Sequence, residues 1–397
     1  MSPAVLLWLI TGCLMLQPLS TDLNLPSLPH LASYFAVTPA AVQQTLSLFV
    51  VGFGAAQLVG GPLSDRYGRR PVLLGGLAVY VLSSIACALA PSLSILVAAR
   101  FAQAVGCCTA VVVARAIIRD AYAPAEGAHV IARASMLLSF APLLGPIAGG
   151  YLQVAFGWRA AFALLTALCL VLTAAALRHL RETNATPDRD AMRLRGMIES
   201  YGRIVRTPVF WAYTLPGALS YASIFVFISG SSFVLIDVLG MPTEYYGYCY
   251  AFGVSGYLSG TVVCRKLLGR IGVDRALSFG TALSLGGGLL FAALVAGGVR
   301  HWALVPLAQF VTMAAHGINF PCAQAGAVAP FPQQAGAAAG LLGFVTMLAA
   351  LAAGIWVGTS HNGTMEPLAW IAASVNTMVF AAARLSAQRR EFAAETR

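Results

Sequence analysis

A run of ten residues, Gly61-Pro62-Leu63-Ser64-Asp65-Arg66-Tyr67-Gly68-Arg69-Arg70, sits between two long apolar stretches, 44–60 and 71–90. Charge and turn residues this dense, flanked by segments each close to the length needed to cross a bilayer, predict a short loop that reverses the chain at a membrane face. The remainder of the chain follows the same rule. Of 397 residues, 59% are hydrophobic and 10% charged, and the mean hydropathy is +0.79, which excludes a soluble domain of this length. With about 20 mostly apolar residues per span, twelve candidates emerge at 4–24, 44–64, 71–90, 93–114, 134–155, 158–178, 209–236, 245–264, 275–296, 301–322, 335–358 and 364–384.

Short loops rich in Lys and Arg stay on the cytoplasmic side. With the N-terminus inside, Arg159 and Arg300 fall outside and Arg100 lies within a span, while every other basic residue collects on the inner side. Dropping any one span would scatter that charge, so the count of twelve is self-consistent. The net charge of +10 then reports topology and contact with anionic lipid heads, with no case for nucleic acid. The longest polar interval divides six spans from six. The expected organisation is an all-α membrane protein: an N-terminal six-helix bundle (1–180), a cytoplasmic linker (181–207), a C-terminal six-helix bundle (208–390) and a cytoplasmic tail (391–397). In the linker, Met192, Leu194, Met197, Ile198, Tyr201 and Val205 fall largely on one helical face among arginines, which predicts an amphipathic surface helix, with a plain tether as the alternative. The eight cysteines are scattered through apolar segments without metal-ligand spacing, so they read as small buried residues. Asn184-Ala185-Thr186 matches a glycosylation acceptor but falls in the inner loop. A faint internal repeat places Gly260 to Arg270 opposite the first charged loop, with Cys264 where Asp65 stands.

The spacing G-x-L-x-D-R-x-G-R-R resembles the loop between the second and third helices of the major facilitator superfamily. Asp65, just before the third span, suits a helix N-terminus and can pair with Arg69, while Gly61 and Gly68 permit close approach and tight turning. The resemblance implies a conformational gate at Gly61, Asp65, Arg66, Gly68, Arg69 and Arg70. It also implies two pseudo-symmetric six-helix halves with a substrate site near the midplane.

Arg100 shares a helical face with Gln103 and Cys107, and an arginine inside a span needs a partner or a water-filled cavity. The alternative is a side chain snorkelling to the outer interface. Arg100-Phe101-Ala102-Gln103 resembles the R-x-x-Q-G motif of proton-coupled members, although Gly106 follows three residues after Gln103. Arg115, roughly 22 Å further along the helix, joins the gating set. In the fifth span, Pro142, Gly145, Pro146, Gly149 and Gly150 resemble the G-P-x-x-G-G signature of drug/proton antiporters, and their bland reading is close helix packing. The segment from Pro18 to Pro29 resembles the first-helix motif of the Bcr/CflA drug-resistance branch, an acid followed by L-P-x-L-P. If the helix continues past Pro26, Asp22 lies inside the membrane and suits a proton carrier, with Arg100 as its electrostatic partner. Otherwise Asp22 caps a helix near the outer surface.

These motifs imply proton-coupled efflux of small, largely apolar compounds of multidrug or antibiotic type across a bacterial inner membrane, by alternating access. The protein would act as a monomer, driven by the proton gradient with no cofactor or metal and no enzymatic activity. The alternatives are a uniporter or symporter of a small metabolite and a dedicated metabolite exporter. Gln103, Tyr221, Phe225, Tyr250, Tyr257 and Asn319 are the candidate substrate-binding residues, as aromatic surface with a few polar anchors. His316 reads as a packed, hydrogen-bonded residue.

Overall fold

A bilayer core offers backbone groups no water, so a spanning chain must satisfy them internally, and helices do this within one segment. In the computed structural model, which describes residues 3–395, every regular element is helical. The first half comprises α1 (Pro3–Asp22), α2 (Leu28–Phe35), α3 (Pro39–Tyr67), α4 (Arg69–Ala88), α5 (Leu93–Ala121), α6 (Pro124–Leu138), α7 (Phe140–Phe156) and α8 (Arg159–His179). After α9 (Leu194–Val205) come α10 (Pro208–Ser232), α11 (Thr243–Ala296), α12 (Leu304–Val328), α13 (Ala335–Ser360) and α14 (Glu366–Glu395).

Ten helical segments among the described residues are long and apolar enough to span a bilayer. One of them, α11, has 54 residues, about 81 Å of helix at 1.5 Å per residue, far more than a bilayer is thick. Its backbone breaks at Gly272, with φ 75° and ψ 177°, so it forms two passes folded back on each other. The remaining pass is α12, whose 25 residues suffice in length but whose Gln309, Thr312, His316 and Asn319 lower its hydropathy. Twelve passes result.

Several boundaries differ from the sequence expectation. The first span was expected to end at 24, but it runs from Val5 to Phe35. Pro26 and Pro29 occupy starting positions of a 3₁₀ turn (Leu25–Ser27) and of α2, where a missing N–H costs nothing. The expected loop at 61–70 is almost entirely helical: α3 continues to Tyr67, α4 begins at Arg69, and Gly68 alone makes the reversal with φ 95°. A β-carbon at Gly61 would meet nothing within 4 Å, so close approach is not its role. In the repeat, the turning glycine is Gly272, beyond the 260–270 segment matched by spacing. Residues 391–395 continue α14, and 396–397 lie outside the described residues.

Within the first half, α3, α4, α5 and α8 pack side by side; in the second, α10, α11, α12 and α14 do. The halves meet along α3 with α13 and along α7 with α11. At the arginine-rich end, α9 docks beside this seam: Ile204 is fully buried and Tyr201 donates to the Leu58 carbonyl at 2.9 Å. Ile198 and Val205, expected on the same face, point outward at 67% and 41% exposure.

Candidate transport site

The break between α1 and α2 places Asp22 at the end of a helix yet well inside the span, 3% exposed. Thr21 donates its hydroxyl to Asp22 Oδ1 at 2.8 Å, and no basic partner of Asp22 occurs among the described residues. From the second half, Tyr221, Tyr246 and Tyr250 lie within electrostatic reach of the carboxyl. Tyr221 also hydrogen-bonds Gln17 of α1, and Tyr246 pairs with Ser231 at 2.9 Å. At the break, Asn24 Nδ2, Asn24 Oδ1 and Ser27 Oγ are buried without hydrogen-bond partners among the described residues.

The fifth-span motif explains how the break is held. A β-carbon at Gly145 would sit 3.3 Å from Asp22 Cβ, and one at Gly149 would collide with the Leu23 carbonyl. At Gly150 it would lie 3.0 Å from the Thr243 carbonyl oxygen. Pro146 lies within α7 and is buried, with Pro142 half-buried one turn earlier. The motif therefore seats α7 against both the acid-bearing break and α11, joining the two halves.

Arg100 is fully buried and does not snorkel. Its Nη1 donates to Gln103 Oε1 at 2.6 Å, and Gln103 Nε2 donates to Ser84 Oγ at 2.7 Å. Its guanidinium lies 4.3 Å above the Phe49 ring and 5.7 Å from Phe162. Nε and Nη2 have no acceptor. The structure brings Arg100 and Asp22 into no shared interaction; Arg100 faces Tyr80, Cys87 and Cys107 instead. Gln103, expected to touch substrate, is spent bracing Arg100 and presents no surface.

The other expected binding residues divide similarly. Tyr221 and Tyr257 are half-buried, while Phe225, Tyr250 and Asn319 are buried. An open groove of about 440 Å³ between α3 and α5, bordered by Gln44, Leu48, Leu93 and Phe101, holds none of them.

At the arginine-rich end, Arg69 bonds Asp65 at 2.5 Å through Nη1 and Asp120 at 2.7 Å through Nε, with Ser64 Oγ also accepting at 2.7 Å. Arg66 is exposed, 5.1 Å over the Tyr67 ring, and Arg70 donates to the Leu177 carbonyl at 3.3 Å. Arg115 is exposed on α5, five residues before Asp120, and joins none of the ion pairs of this cluster. Sequence reasoning missed Glu182, whose carboxylate accepts from the Arg69 and Arg70 backbone N–H groups at 2.7 and 3.1 Å, capping α4. Partial burial works against its charge, but backbone donors at Asn184, Arg69, Arg70 and Thr183 hold it below the usual glutamate value. Asn184 Nδ2 and the Asp188 N–H both donate to the Asp65 carbonyl, at 2.9 and 3.0 Å. The triplet matching a glycosylation acceptor thus straps the linker to the turn. An acid following a polar stretch carries no signal of which helix it will cap; only the orphan N–H groups after Gly68 hint that some cap is needed.

Twelve passes in two halves, a buried acid at a broken first helix and an ion-paired turn at one end define a multi-pass solute transporter and not an enzyme. A family profile for the Major Facilitator Superfamily matches residues 10–354, and the chain belongs to that family. Among its relatives is a bicyclomycin resistance protein homolog of Haemophilus influenzae, 26% identical over 355 residues and covering 89% of each chain. A chloramphenicol resistance protein of Pseudomonas aeruginosa is 32% identical over 299 residues, 75% of this chain and 69% of that one. In fold, the chain is similar to the crystal structure of a D-xylose–proton symporter, with TM-score 0.76, 15% identity and 96% of each chain covered. Both of the sequence relatives named above carry antibiotic-resistance names, and a multidrug resistance protein D of Escherichia coli is 30% identical over 326 residues, 82% of this chain and 81% of that one.

Proposed function

We propose that this protein exports small, largely apolar compounds across a bacterial inner membrane in exchange for protons, with both termini in the cytoplasm. The observation that carries this reading is Asp22: a carboxyl buried at the helix break, without a basic partner among the described residues, between the halves whose relative motion transport requires. A carboxyl in that setting is stable when protonated or when a substrate group replaces the missing counter-charge, which is the competition that exchange needs. The drug-resistance names of the relatives support the substrate class. In this cycle the bundles at 1–180 and 208–390 rock about the linker, substrate and proton alternate at Asp22, and the Asp65–Arg69–Asp120 cluster stabilises one of the two states. Arg100 acts as a fixed positive charge within the first bundle, and the proton gradient is the driving force.

The test uses purified protein in liposomes loaded with a pH-sensitive dye. Under an imposed proton gradient, chloramphenicol is expected to provoke proton movement in wild type, and Asp22→Asn is expected to reduce that movement at least about tenfold with normal insertion. Substrate flux unaccompanied by proton movement would point to a facilitator instead.

A further inference from the structure

The turn at Gly272, between the two passes of α11, is the second half's counterpart of the turn at Gly68, and the two differ in what their charges meet. At the first turn Arg69 is held by Asp65 and Asp120, and Glu182 covers the start of α4. At the second stand Arg265, Lys266, Arg270 and Arg275, all exposed. None of these four forms an ion pair among the described residues. Cys264 takes the place of Asp65 and turns inward, its Sγ 3.8 Å from the Ile318 carbonyl and 3.9 Å from Cys322 Sγ. The one acid between 260 and 280 is Asp274, whose Oδ1 accepts from the Tyr213 hydroxyl at 2.7 Å. A β-carbon at Gly269 or Gly272 would meet nothing within 4 Å, so the surface of this turn is open.

The four cations lie within about 11 Å of the break, measured along the helix axis at 1.5 Å per residue. Lys266 and Arg270 are four residues apart and share a face. One turn deeper on that face are Val262 and Val263, 43% and 39% exposed, and Ser259 continues the exposed stripe. On the returning pass, Phe279 lies one turn beyond Arg275 and is 49% exposed. Both passes give their opposite faces to α12: β-carbons at Gly256 and Gly260 would collide with the Phe310 and Ala314 carbonyls, and one at Gly287 with the Val311 side chain. The exposed stripes therefore face the bilayer, with apolar side chains toward the hydrocarbon and cations at the level of the headgroups.

We propose that this turn binds an anionic phospholipid of the leaflet at the arginine-rich end. Lys266 and Arg270 hold the headgroup phosphate, Arg265 and Arg275 add to the positive field, and an acyl chain lies along Val262 and Val263. Charge complementarity selects the occupant: a zwitterionic headgroup brings its own cation, whereas a phosphatidylglycerol headgroup brings net negative charge to four cations with no carboxylate bound to them. The site lies wholly within the second bundle and does not depend on exchange at Asp22.

The test measures equilibrium binding of tail-labelled phosphatidylglycerol and phosphatidylcholine, with identical acyl chains, to the full detergent-purified chain. Each cation near an anionic headgroup is expected to strengthen binding about fivefold. Wild type is therefore expected to prefer phosphatidylglycerol by at least about thirtyfold. Lys266→Gln with Arg270→Gln is expected to weaken phosphatidylglycerol at least about tenfold and to leave phosphatidylcholine within about twofold. Lys266→Arg with Arg270→Lys, which keeps both charges, is expected to bind as wild type does. Arg203→Gln with Arg206→Gln removes the same charge from exposed positions at the end of α9 and is expected to leave both lipids within about twofold. If the glutamine pair at the turn does not fold, salt supplies the comparison: raising sodium chloride from about 0.1 to about 0.5 M is expected to weaken phosphatidylglycerol at least about fivefold and to spare phosphatidylcholine. Equal loss in the α9 pair would show attraction to net charge without a site, and would overturn the proposal. So would a wild type without preference between the lipids, binding indifferent to salt, or displacement of the lipid by an equal concentration of soluble glycerol 1-phosphate.

Discussion

A fully buried arginine without a carboxylate is costly, and Arg100 shows how the cost is met. Two aromatic faces, Phe49 and Phe162, and one charge-assisted hydrogen bond to Gln103 offset part of its desolvation. Two donors remain unmet. Desolvating such an ion costs several kcal/mol, against about 2 kcal/mol from the aromatic faces and about 1.5–3 kcal/mol from the bond. Arg100→Met is therefore expected to raise the melting temperature of the solubilised protein by about 2–4 °C while abolishing proton-coupled transport. A fall in melting temperature instead would show that the guanidinium is fully compensated. The i, i+3 spacing made the pairing with Gln103 legible in the sequence. The aromatic partners were not, because they come from α3 and α8, and no local pattern tells a lipid-facing phenylalanine from one beneath a guanidinium.

Among the elements, span existence was legible and span endings were not. Hydropathy finds the apolar interior of a helix, but α3 carries its helix through charged residues to Tyr67, where Arg69 bridges the carboxylates of Asp65 and Asp120. Chain reversal then needs only one residue that tolerates positive φ. Gly68 and Gly272 both take positive φ, 95° and 75°, but differ in surroundings. A β-carbon at Gly272 meets nothing within 4 Å, whereas one at Gly68 would lie 2.6 Å from Glu182 Oε2. Gly272→Ala is expected to cost about 1–2 kcal/mol from backbone strain alone. Gly68→Ala is expected to cost more, since it also dislodges the carboxylate that caps α4. Thermal unfolding of both variants in a Glu182→Ala background checks the assignment: the excess penalty at residue 68 should shrink there, and the penalty at residue 272 should not. An unchanged excess would remove Glu182 from the account of this turn.

For the molecule as a whole, the two-bundle architecture followed from charge asymmetry and motif spacing, but the seams between bundles did not, since helical periodicity is silent on which faces meet across a cavity. Those seams lie at both ends. Away from the arginine-rich end, Gly150 abuts Thr243 and Glu244, the latter with its Cα 3.3 Å from a β-carbon built at residue 150, and His30 Nε2 bonds Thr243 Oγ1 at 3.0 Å. Toward the arginine-rich end, a β-carbon at Gly340 would lie 3.2 Å from the Gln57 carbonyl oxygen. Alternating access requires each seam to part once per cycle, so a covalent bond across either should stop transport. Cysteine pairs at residues 150 with 244 and 57 with 340 place thiols near the separation a disulfide needs. The native cysteines give little background, because all are buried except half-buried Cys249, which can be replaced by serine. Oxidising either pair is expected to abolish proton-linked chloramphenicol flux in liposomes, and reduction to restore it. A pair that crosslinks fully yet leaves flux intact would show that its seam stays shut throughout the cycle, and the rocking of the two bundles would have to be replaced by a motion confined to the other end.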